Sequence, residues 1–155
     1  MIAVGKVKEK FWKEALAEYS KRLSGYVHLE IHEVADEPTP DSASEAVRQQ
    51  VLNAEGARIV KLLRDRDGVI ALDRTGKALS SEAWSEAYQR LSASSYGRLV
   101  FLLGGSLGLA DSLVARADLR WSFGPITLPH QLARVVLLEQ LYRGIRITNG
   151  EPYHK

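Results

Sequence analysis

The chain has 155 residues, 21 basic against 19 acidic side chains, and no cysteine, so disulfides, thiolate metal sites and cysteine nucleophiles are excluded. Its length suits one domain that buries roughly 70% of its unfolded-chain surface without a staple, and its net charge of +2 is too mild to indicate nucleic-acid binding by itself. A start without a charged stretch or long apolar run is no signal peptide, and no apolar run approaches the ~20 residues of a membrane span, so a soluble, cytoplasmic protein with no membrane contact is expected.

Ile2 to Val7 reads as a short strand ending near Gly5. Residues 10–23 place Phe11, Ala15, Leu16, Tyr19 and Leu23 at helical spacing, and Gly25 closes that helix. Val27, Leu29 and Ile31 alternate with His28, Glu30 and His32, the pattern of a half-buried strand. Pro38 to Asp41 is a breaker-rich loop, and Ser42 followed by Glu45 fits a capping box that opens a helix to about Arg66. Val69 to Leu72 predicts a buried strand and Thr75-Gly76-Lys77 a turn. Ser80 or Ser81 caps a helix carrying Trp84, Ala87, Tyr88 and Leu91. Leu99 to Leu103 is apolar throughout and ends at Gly104-Gly105, which suits a central parallel strand.

A short helix over 110–117, a strand over 119–123 broken by Gly124-Pro125, and a last helix over His130 to Ile145 complete the pattern. The last helix is apolar almost all round, through Val135, Val136, Leu137, Leu138, Leu141 and Tyr142. Such a helix is buried on more than one side, and a dimer interface is one explanation. The alternation predicts a single α/β domain over residues 1–155, with a mostly parallel sheet flanked by helices.

Gly104-Gly105-Ser106-Leu107-Gly108 follows a predicted strand and precedes a helix. Glycines there let backbone approach a ligand, although the run fits neither the dinucleotide nor the phosphate-loop spacing, and a tight turn explains it about as well. In open α/β sheets ligands sit beyond the carboxyl ends of strands. Leu72-Asp73 and Gly124 to Pro129 end the neighbouring strand candidates, so three loops are expected to converge on one pocket able to wrap a purine. His28, Glu30 and His32 share a strand face, but ordinary alternation accounts for them and no metal is expected. The closing Pro152-Tyr153-His154-Lys155 is rich in groups that stack, hydrogen-bond and contact phosphate.

Leu102 to Leu109, Thr127-Leu128-Pro129-His130, Arg134, Glu139 to Arg143 and Pro152-Tyr153-His154 together resemble the ribosomal large-subunit pseudouridine N3-methyltransferases, a minimal SPOUT class of enzyme. The resemblance spans nearly the whole chain, including Val4-Gly5 and Leu72-Asp73. It implies a homodimer with a C-terminal trefoil knot and S-adenosyl-L-methionine as methyl donor. The implied substrate is a pseudouridine of 23S rRNA, in the loop that bridges the ribosomal subunits, methylated on the assembled ribosome. By the same resemblance Leu72, Gly104, Gly105, Gly124, Pro125, Ile126, Thr127, Leu128 and Pro129 would hold the donor. His130, Arg143, Tyr153 and His154 would face the RNA. Lys155 departs from the arginine of the family; it keeps the charge and loses the bidentate fork.

Methyl transfer from a sulfonium needs the nucleophile in line at near-attack distance, and N3 of the base must lose its proton. His154 as base and Arg143 as a stabiliser of charge on a base carbonyl both satisfy that need. The tail of one subunit is expected to complete the pocket of the other. Two rivals remain open at this stage: a SPOUT enzyme with another RNA target, and a non-catalytic ribosome-binding factor.

Overall fold

A computed structural model of the chain describes residues 1–152. The strands are β1 (Ile2–Val4), β2 (His32–Val34), β3 (Asp67–Ala78), β4 (Arg98–Leu103) and β5 (Leu119–Ser122). The helices are α1 (Lys10–Leu23), α2 (Glu45–Val60), α3 (Ser81–Ser92), α4 (Asp111–Arg116) and α5 (His130–Thr148). The strands form one sheet in the order β2-β1-β4-β3-β5, and every pairing is parallel. The expected α/β class therefore holds.

The apolar strand runs split by alternation onto two faces. Ala3, Ile70, Phe101 and Leu103 face one core with Leu16 and Leu23 of α1, Trp84 of α3 and Leu137, Leu138 and Leu141 of α5. Ile2, Val4, Val69, Val100 and Leu102 face the other, with Ile59 of α2 and Leu113 of α4. Burial on both faces is why β4 reads as an unbroken apolar run.

Four expectations are corrected. Residues 27–31 are not a strand, because β1 offers a ladder only to His32–Val34. The N–H groups of Tyr26 and Val27 instead return to the Leu23 carbonyl, at 2.9 and 3.0 Å. Helix α2 is capped by Ser44 rather than Ser42; its hydroxyl accepts the Val47 N–H at 3.3 Å. That helix stops at Val60 because the groups beyond are taken by tertiary partners. The Arg64 N–H donates to Asp67 and the Leu62 carbonyl accepts from Arg98, each at 2.8 Å. Finally, Thr75-Gly76-Lys77 does not reverse the chain: Leu72 and Lys77 both stand opposite Trp121, and residues 73–76 loop out of a continuing β3.

The expected last helix runs three residues further, to Thr148. Helices α1 and α3 flank it. The Trp84 indole N–H donates to the Gln140 carbonyl at 2.9 Å, and a Cβ at Gly144 would stand 2.7 Å from that nitrogen. Trp84 in turn stacks on Trp121, with centroids 4.0 Å apart. Burial of α5 on several sides is thus largely met within one chain. Among the described residues no helix is long and apolar enough to cross a membrane.

Candidate functional site

The carboxyl ends of β4 and β5 flank the bulge at residues 73–76 of β3, and that bulge and the loops that leave β4 and β5 enclose a cavity of about 220 Å3. Leu72 and Asp73 come from β3, Gly104 and Gly105 from the turn after β4, and Gly124, Ile126, Thr127 and Leu128 from the loop after β5. Trp121 and Phe123, edge to face at 5.1 Å, also line it. The lining is mostly apolar and aromatic, which suits a flat heterocycle.

Local backbone rules build the cavity. A Cβ on Gly104 would come within 2.0 Å of the Gly108 carbonyl oxygen, so only glycine lets the turn fold back on itself. Gly108 closes that turn with φ of +91° and an N–H bond to the Gly105 carbonyl of 3.0 Å. In the loop after β5, Gly124 has φ of +97° and its N–H reaches the Ser122 hydroxyl at 3.2 Å. Asp73 is fixed at the edge by Arg120, at 2.6 Å, and by the Thr75 N–H, at 3.1 Å. Burial raises the Asp73 pKa, but the Thr75 and Arg120 hydrogen bonds outweigh it and hold the carboxyl below its ordinary value.

Seven of the nine residues expected to hold a cofactor thus meet in one cavity: Leu72, Gly104, Gly105, Gly124, Ile126, Thr127 and Leu128. Pro125 and Pro129 are not part of its lining; Pro129 instead caps α5. His130, the first residue of α5, lines the cavity. Arg143 lies about 20 Å further along the same helix, with its guanidinium on Glu139 at 2.6 Å. Tyr153 and His154 lie outside the described residues, as does Lys155.

Sequence reasoning did not find Glu55. This residue of α2 is 4% exposed and floors a second cavity of about 410 Å3. Gly105 and His130 are shared between the two cavities. Glu55 Oε1 accepts the Glu37 N–H at 2.9 Å, whereas Oε2 is buried without a hydrogen-bond partner. The carboxylate lies so close beneath the glycine turn that a Cβ on Gly105 would stand 2.9 Å from Oε2. Burial pushes its pKa up, against the pull of the Glu37 N–H. The signal was present in the spacing: Val51, Glu55 and Ile59 fall on one buried stripe of α2, and a carboxylate in such a stripe calls for a reason.

Arg134 of α5, 2% exposed, closes the same cavity. It donates to Glu33 at 2.7 Å and to the Val4 and Gly5 carbonyls at 2.8 Å. The His28, Glu30 and His32 group lies elsewhere, beside the hollow at the amino ends of β1 and β4. There the two imidazoles stand 3.5 and 3.4 Å from Glu30. Among the described residues no group of three or more His, Asp or Glu is placed to hold a metal ion.

Comparison with known proteins identifies the family and the fold. The family model described as predicted SPOUT methyltransferase matches residues 1–154. Proteins of Streptococcus pneumoniae strains CGSP14 and JJA, each named ribosomal RNA large subunit methyltransferase H, are 49% identical to the chain over all of its length and 98% of their own. The solved structure of a probable methylase family protein from Haemophilus influenzae Rd KW20 superposes on 99% of this chain and 69% of its own with a TM-score of 0.51. At 15% identity it speaks for the fold alone.

Proposed function

The chain belongs to the SPOUT methyltransferase family, and from that premise we propose that it methylates N3 of a pseudouridine in 23S ribosomal RNA, with S-adenosyl-L-methionine as donor. The observation that carries the reading is the meeting of the β3 bulge with the loops after β4 and β5 in one largely apolar cavity toward the carboxyl edge of a parallel sheet. When bound, the donor supplies an electrophilic methyl on a sulfonium. Leu72, Trp121, Phe123, Ile126 and Leu128 would enclose its adenosyl part. The backbone groups at Gly104, Gly105 and Gly124 to Leu128 would orient it.

His130 stands at the border of the two cavities and would face the RNA. Arg143 does not reach the cavity of its own chain. In this reading Arg143, Tyr153 and His154 act from a second copy in a homodimer, whose tail completes the site. A trefoil knot near the C-terminus and a cytoplasmic location belong to the same reading. Specificity rests on the ribosome's shape and a few phosphate and base contacts, in keeping with the mild net charge.

Labelled methyl transfer to intact ribosomes, with and without the pseudouridine, tests the assignment; incorporation that ignores the pseudouridine overturns it. A chain lacking residues 152–155 is expected to bind the donor and leave ribosomes unmethylated, and full activity in that truncation removes the tail from the site. Absence of any heat on titration with the donor would favour a ribosome-binding factor without catalysis.

A further inference from the structure

Two cavities that share Gly105 and His130 differ in character. The first is apolar. The second is polar: Glu55 and Arg134 form its buried floor, and Lys6 and Lys8 stand exposed at its rim. Both buried charges carry an orphan atom, Glu55 Oε2 as an acceptor and Arg134 Nε as a donor. Orphaned buried polar groups are rare in native proteins and call for a reason, a bound ligand or a reaction that uses them among those reasons. Neither lysine has an ion pair among the described residues, so both are available to a phosphate. The methyl donor brings no phosphate, whereas a nucleotide of RNA does.

We propose that the second cavity receives the target nucleobase and that Glu55 Oε2 accepts the proton of its N3–H. This rests on the methyltransferase reading. The N3–H bond breaks and its proton passes to Oε2. The nitrogen lone pair forms the new bond to the methyl carbon, and the carbon–sulfur bond breaks with its electron pair left on sulfur. The uncharged thioether product departs, and Glu55 returns its proton to solvent. Gly105 is the thin wall between the sites: lacking a Cβ, it lets the carboxylate lie directly against the turn that borders the donor cavity.

The titratable groups around Glu55 and its cavity are Lys6, Lys8 and Glu9 from the segment after β1, Asp36 and Glu37 from the segment after β2, Arg58 from α2, and His130 and Arg134 from α5. Burial and Asp36 make the carboxyl a stronger proton acceptor than an ordinary glutamate, and the Glu37 N–H and Arg58 moderate that effect. An uncompensated carboxylate also burdens the fold. Because the folded pKa is raised, the stabilising contribution of this group is full below its unfolded value near 4.5 and is lost as pH rises through the folded value.

The test compares Glu55→Gln and Glu55→Asp with the wild-type chain on pseudouridine-containing ribosomes. E55Q is expected to slow methyl transfer by about 100-fold or more, to bind S-adenosyl-L-methionine within about twofold of wild type, and to melt at or above the wild-type temperature. E55D is expected to recover at least part of the rate, and the rise of the wild-type rate with pH disappears in E55Q. Wild-type turnover in E55Q overturns the proposal. So does a selective loss of donor binding, which would give the carboxylate to the donor's ammonium instead. A fall in Tm that tracks the rate in both variants would make Glu55 structural and overturn it too. Should E55Q not fold, E55D and the wild-type pH profile decide: a wild-type rate that is flat through the carboxylate range removes Glu55 as acceptor. Failure of the wild-type chain to methylate ribosomes would instead sink the underlying function.

Discussion

The two ends of the parallel sheet treat buried charge in opposite ways. At the amino ends of β3 and β4, Asp67 is 6% exposed and fully answered: Arg98 donates to it at 2.8 and 3.0 Å and the Arg64 N–H at 2.8 Å. Nearby, Asp118 accepts the Val69 N–H at 2.7 Å and the Tyr96 hydroxyl at 2.8 Å. At the carboxyl ends, Glu55 and Arg134 are as deeply buried, yet each keeps an orphan atom. Asp67 and Asp118 close their polar bonds and hold the fold together, whereas Glu55 and Arg134 leave bonds open where a ligand is expected. Cavity size does not make this distinction, since the hollow at the amino ends, about 500 Å3, exceeds either cavity at the carboxyl ends.

Glycine substitutions at the two ends give the widest contrast. Gly104→Ala puts a Cβ 2.0 Å from the Gly108 carbonyl oxygen, so the turn must open. Donor binding, followed by titration calorimetry, is expected to weaken by about 100-fold or more, the loss of roughly 3 kcal/mol of contacts. Gly68→Ala puts a Cβ 2.6 Å from the Tyr96 ring and 2.8 Å from Leu99. That overpacking is expected to cost about 1–3 kcal/mol in urea unfolding and leave donor affinity unchanged. Equal loss of donor binding in both variants would break the division between the ends.

Asp67→Asn tests the closed end next. Removing one partner of a buried ion pair costs about 3–5 kcal/mol, and about 3 is expected here because Arg98 keeps partial access to water. The pH dependence follows from the pair. Burial raises the Asp67 pKa, but Arg98 and the Arg64 N–H outweigh it and hold the carboxyl below its ordinary value near 3.8. Its stabilisation is therefore full above that unfolded value and lost as pH falls through the folded one. The urea midpoint of the wild-type chain should fall steeply in acid, and that of D67N should fall less. Parallel acid limbs would show that Asp67 does not carry the effect.

The same contrast explains what the sequence made legible. The carboxyl-end cavity could be read because strand runs, glycines and prolines leave strong local marks: the ends of β4 and β5 and seven of the lining residues follow from them, although β3 continues past its expected end at Leu72 to Ala78. The amino end was harder. Helix α2 was expected to reach Arg66, since nothing in its own residues says that Asp67 and Arg98, the latter 34 positions beyond Arg64, take up the freed backbone groups. Residues 27–31 alternate like a strand, and only the limited ladder of β1 denies them that state. Glu55 escaped for a related reason. Its place on the buried stripe of α2 is local, but its meaning comes from Gly105, 50 residues away in sequence.

The smallest effect is expected where the two treatments meet. Asp73 borders the donor cavity, yet it is satisfied in the manner of Asp67, by Arg120 and by the Thr75 N–H and hydroxyl. Arg120 keeps 44% of its side chain exposed, so the Arg120→Ala variant should lose no more than about 0.2–1 kcal/mol of stability, and less in high salt. Its use is to separate order from charge at the cavity edge. If Arg120 only holds Asp73 still, R120A weakens donor binding a few-fold and the loss does not depend on salt. A loss that vanishes in high salt would mean that Arg120 acts as a charge on the ligand itself. The carboxyl end would then recognise its ligand with satisfied groups as well as orphaned ones.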